Sequence, residues 1–168
     1  MKKIFLVILA FFAAASVYSQ NDGINKLSSS FKIVRLKYSG GGDWYNDPSA
    51  EVNMMDYLKK NTVIDVDESK FYSVDINSDD IFNFPFILIT GHGNISFSDT
   101  EVKRLRQYLE RGGFLYADDD YGMDKAFRRE IEKVFPEQKM QELPFDHKIY
   151  NSHFSFPAGL PKIHEHDA

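Results

Sequence analysis

The sequence predicts an α/β fold, a parallel sheet with helices on both faces, and three observations carry that expectation. Residues 84–90 and 114–117 are short apolar runs without polar alternation, the pattern of strands buried on both faces. Each run is followed by a segment whose apolar residues recur at helical spacing. Glycines interrupt the chain at the strand ends, in Gly40-Gly41-Gly42 and Gly91-His92-Gly93, where loops must begin.

The chain starts with Met1-Lys2-Lys3 and an apolar run over residues 4–17, a charged n-region followed by an h-region. This reads as a signal peptide over residues 1–19, cleaved after Ser19, with Ala15 as the alternative cleavage position. An uncleaved anchor is the competing reading, but the run is shorter than the roughly 20 residues a spanning helix needs. The expected location is therefore secreted or periplasmic, with no membrane span in the mature chain. Residues 20–30 are small and polar and read as a flexible leader, and residues 31–168 as a single domain.

Residues 31–38 mix alternation with β-branched side chains and read as the first strand, which stops at Ser39-Gly40-Gly41-Gly42. Asp47-Pro48 supplies an N-cap and a proline at the first helical position, and Val52, Met55 and Leu58 mark an apolar stripe that ends near Asn61. Residues 62–76 hold a second strand, with an edge hairpin as the alternative. Residues 84–90 form the central strand. Ser98 with Glu101 is a capping box that opens the next helix, and Gly112-Gly113 closes it. A strand over 114–117 runs into Asp118-Asp119-Asp120, and Phe127, Ile131 and Val134 define a last helix that stops at Pro136. The order βα, β, βα, βα describes a three-layer, flavodoxin-like sheet. Residues 137–168 are rich in Pro, Phe and His and end without a recognisable terminal element, which reads as a domain cut short.

The 20 Lys and Arg, less Lys2 and Lys3 of the signal peptide, leave 18 basic against 25 acidic residues, a net charge of −7. An acidic domain is a poor partner for nucleic acid or an anionic membrane. There is no cysteine, so thiol chemistry, cysteine metal sites and lipoprotein anchoring are excluded, and stability rests on packing of the many Phe and Tyr side chains.

Ligands of open α/β sheets bind beyond the carboxyl ends of the strands. Three loops should meet there: Ser39 to Trp44, Gly91 to Asn94, and Asp118 to Tyr121. The glycine run lacks the lysine and spacing of a P-loop, and it serves either to bring amides such as that of Gly41 to an anion or to let Asp43 and Trp44 fold over the sheet edge. His92 projects from a strand end, where a base, ligand or hydrogen-bond donor works. Of the three aspartates at most two face the crevice, because alternate side chains of a strand point oppositely, and one caps the following helix. Asp118 and Asp120 are weak metal candidates, as are His164 and His166. The latter pair, at i and i+2, lies near the chain end with no helical H-E-x-x-H pattern. No G-x-S-x-G elbow supplies a serine nucleophile.

The stretches Arg35-Leu36-Lys37-Tyr38-Ser39-Gly40-Gly41-Gly42-Asp43-Trp44-Tyr45, Thr90-Gly91-His92-Gly93 and Arg111-Gly112-Gly113-Phe114-Leu115-Tyr116-Ala117-Asp118-Asp119 resemble the bacterial family called domain of unknown function 4159. The resemblance covers about residues 31–168 and implies a fold similar to class I glutamine amidotransferases. There a strand tip after a Gly-Gly pair carries the nucleophilic cysteine. An aspartate near Asp119 stands at that elbow here, and without a thiolate no glutaminyl thioester forms. The resemblance also implies further elements after the His-Glu-His-Asp stretch.

Two functions are therefore weighed. The first is a non-catalytic domain of the cell envelope that binds an envelope protein or a small polar ligand through Asp43, Trp44, His92, Asn94, Asp118 and Asp119, with an exposed Trp44 suited to a carbohydrate or peptide. The second is a hydrolase in which His92 acts with Asp118 or Asp119, assisted by a cation.

Overall fold

The computed structural model describes residues 30–160. The proposed signal peptide, nearly all of the leader, and His164 and His166 lie outside them. Four parallel strands, β1 (Val34–Lys37), β2 (Ser73–Asp75), β3 (Phe86–His92) and β4 (Phe114–Tyr121), lie in the order β2-β1-β3-β4. Three helices, α1 (Ser49–Asn61), α2 (Asp99–Glu110) and α3 (Asp124–Val134), complete a flavodoxin-like α/β architecture. Among the described residues no helix is long and apolar enough to cross a membrane.

Alternation along the strands assigns the two faces. Val34, Leu36, Ile87 and Ile89 bury against Leu105 and Tyr108 of α2 and Ala126 and Val134 of α3, forming the larger core. Ile33 and Leu88 on the opposite face pack on Met55 of α1. A run that is apolar at every position is thus the consequence of helices on both sides of β3.

Local chemistry sets the ends of the elements. The capping box of α2 is complete: Glu101 N–H donates to Ser98 Oγ, and Ser98 N–H donates to Glu101 Oε2 at 2.8 Å. Tyr108 is buried under the strand that follows, and its hydroxyl donates to the Phe84 carbonyl at 2.9 Å.

Several boundaries depart from the sequence reading. The first strand is shorter than residues 31–38, and Phe31 instead forms an isolated parallel bridge with Val66. Residues 62–76 hold no hairpin: β2 enters parallel to β1, as a crossover through α1 requires. Asp47 is not a side-chain cap. It adopts φ 44°, Pro48 takes the cap position without a side-chain bond, and the Asp47 carbonyl accepts the Ala50 N–H at 3.1 Å. β3 extends through His92, and β4 continues through all three aspartates to Tyr121, since pairing with β3 holds the ladder past the apolar stretch.

Candidate functional site

The site lies where β1, β3 and β4 end, and Arg35 organises it from beneath. Arg35 stands on the α1 face of β1 and is fully buried. Its Nε and Nη2 engage the buried carboxylate of Glu51 in α1, with Nη2 to Oε2 at 2.9 Å. Nη1 donates to the carbonyls of Trp44 at 2.6 Å and Asn46 at 2.8 Å, and Nη2 also reaches the Asp47 carbonyl at 3.5 Å. All the guanidinium donors thus have acceptors, as a buried arginine demands. The loop between β1 and α1 is pinned by its own carbonyls.

That loop is pressed against the end of β3. Gly42 N–H donates to the Asn94 carbonyl at 3.0 Å, and Ser96 N–H donates to the Ser39 carbonyl at 2.7 Å. A Cβ on Gly42 would lie 2.7 Å from the carbonyl oxygens of both His92 and Asn94, so only glycine permits this approach. Gly91, at φ 136°, is equally confined: a Cβ there would stand 2.5 Å from the Tyr38 hydroxyl and 2.9 Å from Asp43 Oδ1. The glycines therefore serve close packing between two loops. Gly41, by contrast, is exposed and open, with no atom within 4 Å of a Cβ placed on it.

The packed loops bring Asp43 to His92. Asp43 Oδ1 accepts the His92 backbone N–H at 2.5 Å, and its Oδ2 lies 3.0 Å from Nδ1 of the ring. On the other side, Nε2 is 3.1 Å from Oδ2 of Asp120. Asn46 completes the group, its Nδ2 donating to Asp120 Oδ2 at 2.7 Å. The His92 ring is thus clasped between a carboxylate of the β1–α1 loop and one of β4, and it can donate to both only when both nitrogens carry protons.

Electrostatics follow the geometry. The His92 backbone N–H, and then its ring, hold the Asp43 carboxyl below the usual carboxylate range. Tyr38, beneath Asp43, is pushed up to about 12 by burial and then by the Asp43 charge. Asp118 is held above its ordinary value, first by desolvation and then by the neighbouring Asp120 and Asp119.

The remaining sequence candidates separate. Asp119 caps α3, accepting the backbone N–H groups of Met123 at 2.7 Å and Asp124 at 3.0 Å, so it faces away from His92. Asp118 stands on the opposite face of β4 from Asp119 and is exposed. Asn94 ties the loops together: Nδ2 donates to the Gly40 carbonyl at 3.0 Å and Oδ1 accepts from Arg129 at 2.9 Å. Trp44 is half-buried against the core with Lys37 Nζ 5.3 Å from its ring, whereas Tyr45 and Tyr121 at this edge are exposed. Among the described residues no group of three or more His, Asp or Glu side chains is arranged to hold a metal ion.

A family model described as Domain of unknown function (DUF4159) matches residues 32–168. The chain belongs to this family. No curated protein matches it. In this DUF4159 domain the sequence reading missed three residues that build the site: Arg35, Glu51 and Asn46. A signal for the first was present, since Arg35 interrupts Val34 and Leu36 in a strand whose neighbours on both sides are buried. Glu51 and Asn46 gave none, because an acid in a first helical turn and an asparagine in a loop have ordinary local roles.

Proposed function

We propose that this domain is a non-catalytic binding module of the cell envelope, exported by its N-terminal segment. Its strand-end edge, built from Asp43, Asn46, His92, Asp118 and Asp120, receives the ammonium group of a small polar ligand or of an envelope protein.

The observation that carries the reading is the engagement of both His92 ring nitrogens by carboxylates. A general base needs a nitrogen lone pair aimed at the substrate proton. Here Nδ1 and Nε2 face Asp43 and Asp120 instead, and Asp119, the partner expected of a hydrolase, is committed to capping α3. Three carboxylates, Asp43, Asp118 and Asp120, gather at one polar edge around a single imidazole, an excess of acceptors that suits a cation rich in hydrogen-bond donors.

Titrating the full chain with putrescine while following the side-chain NMR signals of His92 and Asn46 tests this. Saturable shifts that disappear in Asp120→Asn support binding at this edge. Ester or amide hydrolysis that depends on His92 would instead establish the hydrolase.

A further inference from the structure

We propose that the proton on His92 Nε2 gates the ligand edge: present, it ties the ring to Asp120, and absent, it leaves that carboxylate to the ligand's ammonium group. The gate is a regulation of the ammonium-binding edge described above and rests on that reading.

The two carboxylates beside the ring are held differently. Asp43 is anchored: its Oδ1 accepts the His92 backbone N–H at 2.5 Å, and Arg35 pins its loop through the Trp44 and Asn46 carbonyls. Both of its oxygens stand near Nδ1, Oδ2 at 3.0 Å and Oδ1 at 3.3 Å. Asp120 has room to turn, with its side chain 36% exposed and its Oδ2 3.1 Å from Nε2. That oxygen also has a second donor, Asn46 Nδ2 at 2.7 Å. The backbone sets Asp120 apart as well. Gly91 pairs with Asp119 and His92 with Tyr121, so Asp120 is the extra residue between them, the arrangement of a β-bulge that re-aims a side chain.

A ring with a single proton donates on one side and turns a lone pair on the carboxylate opposite. The proton stays on Nδ1, where both oxygens of an anchored carboxylate accept it, the usual way a carboxylate orients a histidine. The Nε2 lone pair then faces Asp120 Oδ2, and the repulsion falls on the side chain that keeps Asn46 as a donor and can swing outward. A second proton, on Nε2, restores the tie between the end of β3 and β4.

The other charges around the ring are already engaged. Asp119 caps α3, Arg35 closes on Glu51, and Arg129 of α3 is held by Asn94, Ile95 and Glu130. Tyr38 beneath Asp43 is pushed up to about 12 and stays protonated. Asp118 is the acid whose charge couples to Asp120 along β4. An ammonium group and the Nε2 proton therefore compete for one carboxylate, and each weakens the other's binding by the same factor.

The test follows isotope-labelled His92 ring nitrogens of the full chain by NMR through a pH titration, without ligand and with putrescine. The ligand-free ring should release the Nε2 proton and keep the one on Nδ1, the reverse of the tautomer that a free histidine side chain prefers. Affinity for putrescine should be about tenfold or more higher above the ring's titration than below it, and binding within the titration should drive the Nε2 proton off. In Asp43→Asn the neutral ring should revert to the Nε2–H form. A neutral parent ring protonated on Nε2, or equal affinity on both sides of the titration, would overturn the gate and leave the ammonium site standing. No saturable binding of putrescine on either side would overturn the ammonium-binding reading, and the gate with it.

Discussion

Arg35 on β1 and Glu51 on α1, sixteen residues apart, close on each other as a two-pronged pair with both side chains fully buried. The pair joins the sheet to the helix. Its spare N–H groups hold the loop that presents Asp43 and Asn46, so stability and site geometry depend on one guanidinium.

Removing one partner strands a buried charge. Glu51→Gln should destabilise the domain by about 3–5 kcal/mol, read from denaturant unfolding. Replacing both, as Arg35→Met with Glu51→Leu, should recover much of that loss yet release the loop, detected as broadened signals from Asp43 and Asn46. If the double variant kept the loop ordered, the positioning role of Arg35 would be refuted.

The Asp43 carboxyl has a lower value in the fold than in the unfolded chain. Its ionised form therefore adds stability at pH above the unfolded carboxylate value of about 3.9, and that contribution is lost as pH falls through the folded value. Asp43→Asn should flatten the acid limb of a stability profile measured by thermal melting between about pH 2 and 6. An acid limb identical to that of the parent would show that the contact with His92 contributes nothing.

The two loops tolerate no added carbon at their contact. Gly91→Ala would set a Cβ against the Tyr38 hydroxyl and Asp43, and should cost about 1–3 kcal/mol with loss of the His92 to Asp43 contact. Gly41→Ala, open on all sides though at φ 93°, should leave that contact intact. Comparing the His92 ring signals of the two variants checks the difference.

Asp119 acts on α3 and not on ligand. Asp119→Ala should lower stability by about 1 kcal/mol through loss of the helix cap, while leaving any affinity for putrescine unchanged. A melt coupled to a calorimetric titration separates the two effects.

The sequence made the scaffold legible because burial and capping leave local marks. The apolar run of β3 and the Ser98 to Glu101 box required no long-range knowledge. The extent of β4 did not appear, because three consecutive aspartates carry no strand signal of their own. Asp119 capping α3 and Asp120 meeting Asn46 and His92 are what fit them into the ladder. Pairing of His92 with Asp43 rests on a contact 49 residues apart, set by Arg35 and the glycine packing, and only the folded loops reveal it. Trp44 read as an exposed platform because loop aromatics often are one, whereas Lys37 and the core cover part of it.

The central claim is that the His92 edge binds a cation and does no chemistry. The most direct measurement is an NMR titration of the full chain with putrescine, reading His92 and Asn46 in the parent and in Asp120→Asn and recovering the amine afterwards. The account predicts saturable shifts in the parent, none in the variant, and unaltered amine. Absence of saturable shifts in the parent, or shifts that persist without the Asp120 carboxylate, would contradict it.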